Sequence, residues 1–197
     1  MRKKVMATIG TAALALALAA AYAQQRAAAS SNKAMVLTAQ DYIEIQQLVA
    51  RYGYAIDKCT NSGYDYADLY TPDGVFSVAD ENGVPAKARF EGRDRLAEAD
   101  GGGKNGCIDP KTAPDRYSMT HMSANLVITP TPDGATGRSY LLTVGTGDPT
   151  AKGAAAQPVK AYSWGWYDDV YAKTPKGWRF KSRVHVWPGM PDSLKAR

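Results

Sequence analysis

Apolar residues recur at helical spacing near the start of the chain. The stretch LTAQDYIEIQQLVARYGYAID (37–57) predicts a helix with one buried face, formed by Ile45, Leu48, Val49, Tyr52 and Ile56. Thr38 with Asp41 three residues later is an acidic variant of the capping box and predicts the helix start. Asp57 is the last residue of this run.

Shorter apolar segments and long alternating ones follow this helix. Further helices are predicted over 63–70 and 92–100, a turn over 71–74, and short strands over 75–79 and 87–92. Long strands are predicted over 117–130, 136–147, 159–173 and 178–187, with hairpin turns at 131–134 and 174–177. Helices first and long antiparallel strands last predict an α+β fold, a cone in which N-terminal helices pack on a curved, mostly antiparallel sheet.

The first 23 residues have the pattern of a secretory signal peptide. Arg2, Lys3 and Lys4 precede an apolar run, and AYA (21–23) has the small-x-small form of a cleavage site. An uncleaved membrane anchor is the alternative, although the run is short and rich in alanine for a spanning helix. The sequence therefore predicts an exported protein, periplasmic or secreted, with no membrane contact after cleavage.

The remaining chain divides into a leader, one domain and a tail. Residues 24–36 are polar, rich in alanine and without a period, which predicts a disordered leader. A single domain is predicted over 37–190 and a tail over 191–197. Loss of the three basic side chains of the signal lowers the net charge from +5 to about +2. With no basic cluster left, nucleic acid is not an expected partner.

Cys59 and Cys107 are the two cysteines of the chain. An even count in an exported chain favours one disulfide, which would close a loop of about 48 residues. Two unpaired, buried thiols are the alternative. Both cysteines lie in polar or glycine-rich segments, where a buried thiol would be unusual.

His121, one of only two histidines, lies among apolar residues near the start of a predicted strand. Asp57 ends the first helix, where a carboxylate is unfavourable against the helix dipole. A carboxylate that accepts from one ring nitrogen fixes the tautomer and leaves the other nitrogen free to take a proton. The pair could therefore act as a general base. The alternatives are a satisfied core or surface histidine and a solvated helix-end aspartate.

Other polar and aromatic residues carry weaker signals. His185 alternates with Lys181 and Arg183 in the last strand, which favours a solvated basic face opposite a core face. Asp168 and Asp169 resemble surface carboxylates at a strand end. Trp164 and Trp166 share one strand face and could line an aromatic pocket, with plain core or a subunit interface as the alternatives. Two histidines without clustered ligands do not predict a metal site, and no nucleotide-binding fingerprint predicts a cofactor.

Three short motifs, in order along the chain, carry a resemblance to a known family. They are AIDK (55–58), HMSANL (121–126) and GWRFKSR (177–183). Together they resemble the SnoaL-like branch of the nuclear transport factor 2-like superfamily, and are most similar to the group that contains lindane dehydrochlorinase and scytalone dehydratase. The similarity spans most of residues 37–187.

The resemblance implies roles for individual residues. Asp57 would orient His121, His121 would remove a proton from carbon, and Arg183 would stabilise the departing group. Asn125 would follow the histidine as in the family. The dehydrochlorinase has a lysine at the place of Tyr52, so loss of halide is not expected here.

The predicted function is therefore a cofactor-independent lyase, of the dehydratase type, or an isomerase acting on a small hydrophobic, cyclic substrate. The predicted substrate-binding residues are Tyr52, Tyr54, Tyr117, Asn125, Trp164 and Trp166, with Tyr70 also near the pocket. Two alternatives remain: a cone that only binds a hydrophobic ligand, and a module that forms homo-oligomers through its open sheet face.

Overall fold

The structure is a computed structural model that describes residues 33–109, 119–145 and 159–196. The predicted signal peptide and most of the predicted leader lie outside these residues, as does Tyr117. The helices are α1 (Ala39–Lys58), α2 (Tyr64–Ala67) and α3 (Arg93–Ala99), with short 3-10 turns at Thr60–Gly63 and Asp192–Leu194. The strands are β1 (Tyr70–Ala79), β2 (Pro85–Glu91), β3 (Met119–Thr131), β4 (Gly134–Gly145), β5 (Lys160–Thr174) and β6 (Gly177–Val186).

The six strands form one curved sheet against which the three helices pack. The strand order is β2-β1-β6-β5-β4-β3, and only the β1–β6 pair is parallel. This is the α+β cone that the sequence predicts. The one parallel pair arises because β6, the last of the four strands that follow α3, returns beside β1.

Helix α1 begins at a complete capping box. The Thr38 hydroxyl accepts from the backbone N–H of Asp41, and the Asp41 carboxylate accepts from the backbone N–H of Thr38. The same carboxylate also accepts from Lys173 Nζ at 2.6 Å and from Trp178 Nε1 at 2.9 Å. Asp41 therefore ties the start of the helix to β5 and β6.

The core lies between α1 and the inner face of the sheet. Tyr52, Tyr66, Tyr167 and Phe180 are fully buried there and meet edge to face or at a tilt. Packed rings in such arrangements contribute about 0.5–1.5 kcal/mol a pair beyond the area they bury. The inner wall of the cone is thus aromatic.

A buried ion pair lies within this aromatic cluster. Arg183 donates from Nε and Nη2 to the two carboxylate oxygens of Asp169, each at 2.8 Å, and both side chains are fully buried. The guanidinium lies about 4 Å from the ring centroids of Tyr52, Tyr167 and Phe180. The prediction that Asp169 is a surface carboxylate is therefore wrong, whereas Asp168 does lie on the outer face, paired with Arg138.

A β-bulge in β6 explains why the alternation misled the sequence analysis. Tyr171 pairs with Phe180 and Val170 pairs with Ser182, so Lys181 is an extra residue with no partner in β5. Before the bulge the even-numbered residues Trp178 and Phe180 face the core, and after it the odd-numbered Arg183 and His185 do. The prediction of a solvated basic face through His185 is wrong because the period shifts by one residue at Lys181.

Two other segments differ from the sequence-based expectations. The predicted turn over 71–74 is part of β1, where these residues form an irregular stretch opposite the β6 bulge. The predicted tail packs on the domain, since Lys195 bridges to Ala86 and its ammonium lies 3.0 Å from the Asp80 carboxylate. At the other end, the backbone N–H of Met35 donates to the Thr131 carbonyl.

Cys59 and Cys107 form a disulfide, which confirms that pairing. Cys59 is the C-terminal cap of α1, two residues after Asp57, and adopts the left-handed conformation. The bridge therefore fixes the end of the helix that carries this carboxylate. Within the described ranges, no helix is both long and apolar enough to cross a membrane.

Candidate active site

A cavity of about 230 Å³, here called the His121 cavity, opens between α1, α3 and the inner face of the sheet. Its apolar and aromatic lining comes from Tyr52, Ile56, Phe76, Met119, Leu141 and Tyr167. Its polar lining comes from Asp100, His121, Ser163 and His185. Apolar walls with a few convergent polar groups are typical of small-molecule sites.

His121 and Asp57 are in direct contact at this cavity. The Nδ1 atom of His121 lies 2.6 Å from Oδ1 of Asp57, and the backbone N–H of His121 also donates to this carboxylate. The carboxylate is 8% exposed and the imidazole 19%. Because an ionised carboxylate only accepts hydrogen bonds, it holds the proton on Nδ1 and leaves a lone pair on Nε2.

Glycine at position 53 allows this contact. A Cβ atom there would lie 2.8 Å from the backbone oxygen of His121, closer than such atoms approach in proteins. The absence of a side chain lets α1 approach β3 closely, one turn before Asp57. Gly53 thus sets the separation between the helix that carries the carboxylate and the strand that carries the ring.

His185 brings a second imidazole into the cavity. It is buried and pairs with Tyr167 across β5 and β6. Its pKa is lowered to about 4, mainly by burial and also by the nearby His121, while a hydrogen bond to the Trp164 backbone acts in the opposite direction. The Nε2 atom of His185 is buried with no hydrogen-bond partner among the described residues.

Tyr52 and Tyr167 form the part of the wall nearest the buried ion pair. Tyr167 donates to the Tyr52 hydroxyl at 3.2 Å, and burial raises the pKa of both phenols, so both stay protonated. Arg183 lies behind these rings and does not line the cavity. It can act on a bound molecule only through Tyr52 and Tyr167, not by direct contact.

Several predicted substrate-binding residues do not reach this cavity. Tyr54 is 78% exposed on the outer side of α1. Asn125 lies in a bulge of β3 with φ of 54°, exposed to solvent. Trp164 and Trp166 lie on the outer face of the sheet, opposite the inward-facing Tyr167. The strand face that carries Trp164 and Trp166 is therefore the outer face of the cone and does not line the cavity.

Three polar lining residues were missed by the sequence analysis. His185 was assigned to solvent because no sequence signal marks the bulge at Lys181. Asp100 is the C-terminal cap of α3, and Ser163 lies among exposed residues of β5. The one available signal was the rarity of histidine, which singles out His185 as much as His121. Among the described residues, no three His, Cys, Asp or Glu side chains are grouped as metal ligands.

Comparison with known proteins places the chain in a family. A family model described as a SnoaL-like domain matches residues 37–184. No curated protein matches the sequence. Many solved structures share the fold.

Three of these structures illustrate the range. An NTF2-like protein with a cystatin-like fold from Novosphingobium aromaticivorans is 19% identical, with a TM-score of 0.58 over 79% of this chain and 86% of that one. A Mycobacterium tuberculosis protein of unknown function is 24% identical, with a TM-score of 0.55 over 79% and 76%. ActVI-ORFA from Streptomyces coelicolor is 16% identical, with a TM-score of 0.56 over 79% and 100%.

Proposed function

Because this chain belongs to the SnoaL-like family, which includes polyketide cyclases and ring-hydroxylase subunits, we propose that it is a cofactor-independent lyase or isomerase. Its substrate is a small hydrophobic, cyclic molecule. His121 removes a proton from carbon, and Asp57 positions the ring. The observation that carries this proposal is the 2.6 Å contact between Nδ1 of His121 and Oδ1 of Asp57 at an aromatic cavity.

The proposed reaction uses His121 twice. Its Nε2 atom takes a proton from the substrate carbon, and the resulting imidazolium is stabilised by the adjacent Asp57 carboxylate. In a dehydration, the electron pair of the broken C–H bond forms the double bond and the hydroxyl leaves with the proton returned by His121, as water. In an isomerisation, the same proton returns to another carbon.

Tyr52 supplies the hydrogen-bond donor for the leaving or developing oxygen, and Tyr167 donates its own proton to the Tyr52 hydroxyl. Their pKa values are raised by burial, so they donate without losing their protons. The guanidinium of Arg183 lies against both ring faces and holds the rings in place. Arg183 was predicted to be catalytic together with Asp57 and His121, but it does not line the cavity. We therefore assign it a positioning role.

The test measures proton removal without a known substrate. The protein is incubated in deuterated water with a small-molecule extract of its native host, and mass spectrometry scores deuterium gain or loss of water. The wild type is expected to change specific molecules. His121→Ala should abolish the change, and Asp57→Asn should slow it by about 10²–10⁴-fold, because the tautomer is no longer fixed.

The competing function is ligand binding without chemistry. It predicts that a molecule is retained by wild type and by His121→Ala alike, with no deuterium gained in either. Tyr54→Ala, on the exposed side of the same helix, is the matched control and should behave as wild type in both assays. Activity that survives in His121→Ala would refute the proposed role of the ring.

We also infer that the protein works after export. The sequence of residues 1–23 has the pattern of a signal peptide, and disulfides such as Cys59–Cys107 form and persist in oxidising compartments. N-terminal sequencing of protein recovered from the host envelope or medium tests this. A chain that begins at Gln24 supports it, and one that begins at Met1 contradicts it.

A further inference from the structure

A second cavity adjoins the His121 cavity. Its volume is about 370 Å³, and its walls come from β1, β2, the end of β6 and the C-terminal segment. Val78, Trp187, Met190 and Leu194 make it strongly apolar.

Two polar residues line both cavities. Ser163 and His185 belong to the wall of each, so the cavities meet at these two side chains. These two side chains are here called the junction of the cavities. The junction is therefore the one place where a molecule occupying both would meet polar groups from β5 and β6.

The junction offers hydrogen-bond acceptors rather than donors. The Ser163 hydroxyl donates to Thr143 Oγ1 at 3.1 Å, so its own lone pairs remain. The His185 ring is neutral and uses its one N–H toward the Trp164 backbone, which leaves a lone pair on Nε2. This buried atom has no partner among the described residues, and such an atom normally has one in a folded protein.

We propose that the two cavities form one bipartite site for a ligand with a hydroxyl, or another hydrogen-bond donor, between a ring and an apolar tail. The ring lies in the His121 cavity, the tail lies in the second cavity, and the hydroxyl donates to Nε2 of His185. The proposal rests on the proposed function only in placing the ring beside His121. It restricts the proposed substrates to molecules whose hydroxyl, or other hydrogen-bond donor, is next to the ring that lies beside His121.

The test uses three synthetic probes and isothermal titration calorimetry on the disulfide-bonded protein. Phenylpentylcarbinol has the ring, the hydroxyl and the tail. Its methyl ether lacks the donor, and phenylmethylcarbinol lacks the tail. Wild type should bind phenylpentylcarbinol about 5–10-fold more tightly than the ether, because the ether leaves Nε2 unpaired. It should bind phenylmethylcarbinol at least about 30-fold more weakly, because four methylenes are lost from the second cavity.

Two variants separate the halves of the site. His185→Phe should bind alcohol and ether equally while it still prefers the longer tail. Ala88→Trp places a large ring in the second cavity from an exposed position on β2, and should remove the tail preference while it keeps the hydroxyl preference. Ala50→Trp, on the exposed side of α1, is the control and should change neither.

The wild-type series decides the matter even if a variant does not fold. Equal binding of alcohol and ether, or no effect of tail length, would overturn the bipartite site. The outcome is independent of turnover. If the probes bind in the expected order but no deuterium exchange occurs, the bipartite site is supported and the lyase or isomerase function is refuted. If exchange occurs but the probes do not bind in this order, the function is supported and the bipartite site is refuted.

Discussion

At the scale of single residues, the two histidines of the chain have different surroundings in one cavity. His121 touches a carboxylate, whereas His185 is buried beside Tyr167 and His121 with an unpaired nitrogen. The carboxylate holds the His121 ring in one orientation, and burial disfavours a proton on His185. One ring is thus suited to receive a proton and the other to accept a hydrogen bond.

The buried state of His185 predicts a loss of stability at mildly acidic pH. Its pKa is about 4 in the folded protein, below the usual value of 6.5, so the unfolded chain binds the proton more tightly. The stability from neutral His185 is complete above pH about 6.5 and falls as the pH drops toward 4, by roughly 3 kcal/mol in total. Urea unfolding at several pH values measures this.

A variant isolates the contribution of His185 from those of other titrating groups. In His185→Phe, the fall in unfolding free energy between pH 6.5 and pH about 4 should be smaller than in wild type by this amount. Groups that titrate in both proteins largely cancel in the difference. Identical pH profiles would show that His185 is not held neutral by the fold.

At the scale of elements, the site depends on how closely α1 approaches β3. Gly53→Ala would by itself favour the helix by about 1 kcal/mol. Its Cβ would clash with the His121 backbone oxygen, however, and push the strand from the helix. We therefore expect activity to fall at least about 10-fold with a comparatively small change in Tm, since small displacements of catalytic groups are costly.

The control for this change lies in the same helix. Gln47→Ala, at an exposed position, should leave both deuterium exchange and the pairing of His121 with Asp57 unchanged. Histidine NMR reports the pairing through the Nδ1 proton shared with the carboxylate. If Gly53→Ala keeps full activity and the same NMR signal, the close approach is not needed.

The disulfide constrains the same end of α1, through Cys59. Replacing Cys59 and Cys107 together by serine removes a link across 48 residues, which costs about 4 kcal/mol in the chain-entropy estimate. Because Cys59 caps the helix next to Asp57, activity should also fall at temperatures where the variant is still folded. Thermal unfolding and exchange assays, compared with reduced and oxidised wild type, test both effects.

Elements that are determined by local signals could be predicted from the sequence, whereas features that depend on long-range strand pairing could not. The Thr38–Asp41 capping box and the helical spacing to Asp57 are local, so α1 was predicted almost to the residue. The bulge at Lys181 depends on how β6 pairs with β1 and β5, and nothing in GWRFKSR marks it. Pairing of β5 with β4 and β6 likewise decides that Asp169 faces the core and Trp164 faces outward. The sequence therefore predicted the fold class but not the faces of these two residues.

At the scale of the whole molecule, the outer face of the sheet is unusually apolar. Register places Met122, Leu142 and Trp164 in one row across β3, β4 and β5, and Tyr140 and Trp166 in the next. Trp164 is 59% exposed. Contiguous exposed apolar patches commonly mark protein–protein interfaces, and SnoaL-like domains often form oligomers. We therefore propose that the protein forms a homo-oligomer through this face of the sheet.

The prediction is a dimer that depends on this face. Trp164→Asp should convert it to a monomer in sedimentation velocity, because a charge in an apolar interface is costly without a partner. Tyr54→Asp, which changes another exposed aromatic residue, on α1, should leave the assembly as it was. A wild type that sediments as a monomer at all concentrations would refute the interface.

The bulge at Lys181 divides the last strand into two parts that face the core with opposite parity. If Lys181 were paired as a regular strand residue, Val184 would face the cavities and His185 would face the outer side, with no change in the chemical identity of either. The lining of the site therefore depends on how β6 pairs with β5 as well as on its side chains. Relatives of equal length beyond residue 181 will share this lining only if they also share the bulge.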